Sequence, residues 1–159
     1  MLKSQQLSLV SEYARVNRWT YTHLVEENQY THFGSIVGHR IGNDADQLYL
    51  GANYWVNADT RLALFCQFNR NGEANVEHRF RGEKYSEVTF PSGMVEGKHQ
   101  IGCNLSLDQA NSWQFNLQFS HMIILNKNHK NSPMEHRNQL AFQIGYQYNQ
   151  NTSRTSVLP

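Results

Sequence analysis

The sequence predicts an all-β fold: an antiparallel up-and-down β-barrel segment of about six strands with three long loops, part of a larger outer-membrane barrel. Three observations predict it. Several segments of about ten residues alternate apolar and polar side chains with a period of two. The connections between them alternate between short and long. The polar rows are nearly free of charge. Period two by itself leaves open which face is outside, since apolar rows point inward in a soluble sandwich and outward in a membrane barrel.

Taken in order, the first segment, about Leu7 to Tyr21, is the least regular, because Val10, Ala14 and Val16 share a row with Glu12 and Arg18. The next, Gln47–Val56, places Leu48, Leu50, Ala52, Tyr54 and Val56 in one row. In Thr60–Asn69 the row is Thr60, Leu62, Leu64, Cys66 and Phe68; in His99–Leu107 it is His99, Ile101, Cys103, Leu105 and Leu107. "WQFNLQFSHMI", Trp113 to Ile123, alternates most cleanly, and Gln139–Tyr148 follows with Leu140, Phe142, Ile144, Tyr146 and Tyr148. Asn57–Asp59 and Asp108–Ser112 are short and turn-like. The connections His23–Asp46, Arg70–Lys98 and Asn126–Asn138 are long, and they hold most of the charge. Outer-membrane barrels show this asymmetry, with tight periplasmic turns and long extracellular loops.

The polar rows choose between the two solvents. They read Gln47, Tyr49, Gly51, Asn53; Gln100, Gly102, Asn104, Ser106; Gln114, Asn116, Gln118, Ser120; and Gln139, Ala141, Gln143, Gly145, Gln147, with neither Lys nor Glu. A water-facing exterior normally carries roughly 25–35% charged residues. Neutral amides suit a wet barrel interior instead. Tyr54, Trp113, Tyr146 and Tyr148 lie nearest the short-turn end, where amphipathic rings form an interfacial girdle. A soluble barrel or sandwich with the apolar rows inside is the competing fold.

Totals narrow the class further. Residues 1–150 read as one β domain and 151–159 as a polar tail. A net charge of +1 makes no case for nucleic acid, and mean hydropathy of −0.66 with no run near ~20 apolar residues excludes a spanning helix. Cys66 and Cys103 match no metal spacing and read as small apolar residues facing lipid, unbonded. The start lacks the apolar stretch of an export signal, so either the protein stays in the cytoplasm or the chain begins inside a longer one; with the membrane reading, the signal is expected upstream. Six strands are fewer than the ~8 of the smallest membrane barrels, so more strands are expected as well.

The most distinctive stretch runs from Glu12 to Trp55. Its "EYARVNRWTYTH" opening, its "YTHFG" step and "GHRIGNDADQLYLG" leading into a strand resemble the Wzi-like capsule assembly family; "SIVGH" stands where that family has a proline-containing "PLGH". The resemblance implies a bacterial outer-membrane β-barrel that helps capsular polysaccharide associate with the cell surface, and it implies no catalysis. It assigns no role to individual residues.

The residues themselves suggest sugar recognition. Aromatic faces stack on sugar C–H surfaces while amides, carboxylates and hydroxyls pair with sugar hydroxyls. Asn17, Trp19, Tyr21, Tyr30, Asp44, Asp46, Tyr49 and Asn53 supply that mixture, and Arg79, Arg81 and Tyr85 of the second long loop add charge for an acidic polymer. A plainer reading is that His and Asp brace the first loop through hydrogen bonds, while the interleaved Glu residues make the second an ordinary solvated loop. His23, His32 and His39 with Asp44 and Asp46 match no metal signature. No nucleophile–base pair or paired carboxylate constellation stands out. The expected partners are capsular or another surface polysaccharide and outer-membrane lipid, with no cofactor, metal or enzyme activity. A general porin or transporter fits the same amide-lined interior, and a soluble ligand-binding β-barrel is the third alternative.

Overall fold

The computed structural model describes residues 6–23, 25, 28–29, 31–33, 35–75, 88–109 and 113–146. Six strands form one antiparallel sheet: β1 (Gln6–Val16), β4 (Ala45–Asn57), β5 (Thr60–Asn71), β6 (Glu96–Gln109), β7 (Trp113–Leu125) and β8 (Glu135–Tyr146). Their spatial order is β1-β4-β5-β6-β7-β8, so each main strand pairs with the next along the chain. The intervening β2 (Thr31–His32) and β3 (Ser35–Ile36) make a two-stranded hairpin inside the first long loop. The sheet is an open meander with β1 and β8 at its edges. No α-helix occurs among the described residues.

Register explains why two solvents can be kept apart. Antiparallel partners share a face, and a slip of one residue would turn a strand's apolar row to the wrong side. Here one apolar line crosses all six strands: Leu7, Tyr54, Leu62, Leu105, Leu117 and Phe142. The next line is Leu9, Ala52, Leu64, Cys103, Phe119 and Leu140. These side chains have no second layer over them among the described residues. Even on central strands Leu64 is 52% exposed, Ile101 62% and Phe119 44%. The buried apolar residues Val16, Trp19, Ala45, Ala74 and Ile124 all lie at the long-loop end, so the apolar rows make no water-excluding core. A hydrocarbon surround supplies what the rows lack. Cys66 and Cys103 are free, on this face, offset by two residues across the β5–β6 ladder.

The apolar face has defined limits. At the short-turn end Trp113 packs against Tyr146 with ring centroids 4.7 Å apart. At the other end the face turns polar, with the His121 and His136 rings tilted against each other, centroids 5.4 Å apart, and His121 bonded to Asn138 at 2.7 Å. From Trp113 to Ile123 is ten steps; at about 3.4 Å per step and a tilt of ~40°, this covers roughly 25 Å, the height of a barrel's apolar band.

Two expectations shift. β1 ends at Val16 instead of running to Tyr21, because Asn17 opens consecutive turns in which Thr20 N–H donates to Asn17 (3.1 Å) and Thr22 N–H to Trp19 (3.2 Å). Its pairing puts Leu7, Leu9 and Tyr13 opposite Tyr54, Ala52 and Leu48, so Val10, Glu12 and Ala14 face the amide side. Second, β6 and β8 begin earlier than apolar alternation does, at Glu96 and Glu135, and these charged ends shorten the long loops. The expected tail 151–159 lies outside the described residues.

The two faces predict opposite responses on one strand. Leu117→Arg in the full-length protein costs ~2–4 kcal/mol on the lipid face and lowers assembly into membranes. Gln118→Arg, facing the other way, leaves assembly near wild type. Urea titration of the refolded protein in detergent, with quantitation of the folded band, checks both.

Candidate functional site

The long-loop end is built around Asp44, which is 1% exposed and sits at φ 54°, a left-handed conformation that Asp tolerates better than most residues. Its carboxylate accepts from Ser92 N–H (3.1 Å), from the Ser92 hydroxyl and from Ala74 N–H (3.2 Å), while its carbonyl accepts Gly72 N–H at 2.8 Å. Glu73 N–H donates to Ser92 at 2.9 Å. The end of the first long loop is thereby tied to both ends of the second. Gly72 leaves room for this: a Cβ there would stand 2.1 Å from an Asp44 carboxylate oxygen.

Further bonds extend the floor. Arg70 grips Asp46 through both Nε (2.9 Å) and an Nη, and Tyr13 donates its hydroxyl to the same carboxylate at 3.2 Å. Asn43 donates to the Arg18 carbonyl and Asn71 to the Ile41 carbonyl, both at 3.0 Å. His39 N–H donates to the Tyr21 hydroxyl at 2.9 Å. The third connection joins through Asn126, which donates to the Val95 carbonyl at 3.0 Å, and through Glu96, which accepts Asn128 N–H at 2.6 Å. Every long connection is therefore anchored to a strand end or to another loop.

The sequence-derived candidates fall into three groups. Trp19, Asp44 and Asp46 are buried, and Tyr21 is half-buried against the backbone of Gly38 and His39. Asn17 is exposed and accepts from Arg15 at 3.1 Å; with Trp19 and Asp44 it lines a cleft of about 50 Å³ beside Phe90, whose ring carries the Arg15 guanidinium 3.7 Å above it. Tyr49 and Asn53 lie on the amide face of β4, away from this floor. Tyr30, Arg79, Arg81 and Tyr85 lie outside the described residues.

His39 stands 3.9 Å from Glu12, and Asp44 gives its oxygens to backbone and hydroxyl donors. Among the described residues no three His, Cys, Asp or Glu side chains converge on a metal-sized space. Sequence reasoning missed Phe65, on the amide face of β5, which stacks on Tyr49 with centroids 6.4 Å apart and planes 18° apart. The available signal was an aromatic residue standing in an otherwise polar row between Ala63 and Gln67.

A single antiparallel meander, apolar on one face and amide-lined on the other with its long loops gathered at one end, defines a segment of an outer-membrane β-barrel protein. The chain matches the family described as capsule assembly protein Wzi over residues 1–139, and it belongs to that family of outer-membrane proteins. No curated protein and no solved structure matches it.

Asp44→Ala strips three donors of their acceptor. Leaving buried donors unpaired costs ~1–3 kcal/mol, and the expected outcome is faster limited proteolysis of the second long loop with the strands still assembled. Mass mapping of the fragments checks it.

Proposed function

We propose that this protein holds capsular polysaccharide at the outer face of the membrane through noncovalent contacts of its long loops, and that it catalyses no reaction. One observation carries the reading. The Asp44–Ser92–Ala74 network fixes the loop bases to one another, and a base already fixed has less entropy to lose when a polymer binds. Membership of a capsule assembly family makes polysaccharide the natural occupant. Asn17, exposed at the rim, supplies an amide for sugar hydroxyls, and Arg79, Arg81 and Tyr85 offer charge and an aromatic face to an acidic repeat.

A second reading, a solute-conducting channel, is favoured by the uncharged amide rows. An open ohmic conductance of the full-length protein in planar bilayers would select it over polysaccharide attachment.

The triple variant Asn17→Ala, Arg79→Ala, Arg81→Ala tests the loop reading in the encapsulated host. Loss of charge-assisted contacts is expected to weaken polysaccharide binding at least about tenfold. Less capsule is then retained on cells, with unchanged barrel in the membrane. Wild-type retention by this variant would refute loop binding.

A further inference from the structure

On the amide face, two rings occupy positions that glycine vacates. Tyr49 of β4 leans along its own strand over Gly51, where a Cβ would come within 3.0 Å of its ring and hydroxyl. Phe65 of β5 lies across the ladder over its register partner Gly102, where a Cβ would stand 2.5 Å from two ring carbons. Rings held this close to a backbone lie down on the sheet. Their planes differ by only 18°, and both residues are partly exposed, as expected of rings with one face on the wall and one toward the interior.

Two register rows below Phe65, toward the short turns, Trp55 shares this face. With Arg61, Ser106, Asp108 and Asn116 it lines a concavity of about 270 Å³. The row between holds Asn53, Ala63, Asn104 and Gln118, and the row at Tyr49 holds Gln67 and Gln100. From Tyr49 down to the row above Arg61, β4, β5 and β6 place no ionised side chain on this face.

We infer that this wall is a second, lumenal binding track for uncharged pyranose residues of a linear glycan, with Tyr49 and Phe65 as stacking platforms. Flat aromatic surface beside amide donors and acceptors is the chemistry that recognises a sugar ring, offering a π face to its axial C–H groups and two-way hydrogen bonding to its hydroxyls. Apart from Glu12, the β1 register partner of Tyr49, the wall beside the rings offers hydrogen bonds and no ionic contact. A narrow solute channel needs no glycine-seated rings. The glycines serve the site by letting the rings lie flat and by keeping the wall shallow there. This inference rests on the polysaccharide reading above but places contacts on a different surface from the loops.

The test uses the full-length protein in detergent and oligosaccharides cut from the host's own capsular polymer, with affinity measured by calorimetry. Tyr49→Leu with Phe65→Leu keeps apolar bulk and removes both flat faces; binding is expected to weaken about five- to tenfold. Tyr49→Phe with Phe65→Tyr keeps the rings and is expected to bind within about twofold of wild type. Asn104→Cys, in a background with Cys66→Ala and Cys103→Ala, is expected to react with an impermeant thiol reagent and to be shielded by the oligosaccharide. Wild-type affinity in the leucine variant overturns the track while leaving loop binding intact. A thiol that stays unreactive without sugar also overturns it, because the wall is then covered by protein. No binding by the wild-type protein overturns both readings together.

Discussion

Everything in this protein depends on keeping register across six strands that face two different solvents. The line from Leu7 through Tyr54, Leu62, Leu105 and Leu117 to Phe142 holds only while each ladder stays in step. A displacement of one residue in any strand would push Gln, Asn or Ser into hydrocarbon and Leu or Phe into water. The ladders also satisfy the backbone, which has no other partner in lipid. Strand order in chain sequence makes this economical, since each new strand is templated by the one just before it.

The long-loop end uses a different kind of interaction. Its buried groups are mainly polar, with Asp44, Asp46, Gln47, Ser92 and Glu96 all below a tenth exposed. Each has a partner, as buried polar groups must: Asp44 has Ser92 and backbone N–H groups, Asp46 has Arg70 and Tyr13, Gln47 has Arg40, and Glu96 has Lys98 and the Asn128 N–H. Arg15, Asp46 and Arg70 stand on the lipid-side face one row beyond Tyr13, where headgroups and water accommodate charge. The barrel wall is thus held by side-chain partition between solvents, and the loop floor by hydrogen bonds spanning distant parts of the chain. Residence in the outer membrane, the place of this capsule assembly family, needs the first of these, the wall.

Alternation made five strands readable because each faces hydrocarbon on one side and amides on the other. β1 resisted, since Ser11 interrupts its apolar row while Val10 and Ala14 sit in its polar one; only pairing with β4 shows which face is which. The charged strand ends at Glu96 and Glu135 were read as loop because alternation stops where hydrocarbon does, although the ladders continue. Asp44 and Asp46 were visible as polar candidates, yet their bracing could not be derived. Ser92 and Ala74 lie 48 and 30 residues from Asp44, and no local pattern links them. Phe65 was hidden for a simpler reason: the apolar row of its strand lies on even positions, and its odd row, which carries Arg61, is not among the four charge-free rows.

The central claim is that the odd positions of β7 meet lipid and the even ones meet the barrel interior. Nitroxide labels placed singly at each position from Trp113 to Ile123, with Cys66→Ala and Cys103→Ala and the protein in bilayers, test it most directly. Collisions with dissolved oxygen should peak at residues 115, 117 and 119, and collisions with a water-soluble nickel chelate at 114, 116 and 118. The opposite phase, or chelate access at every position, would contradict the account.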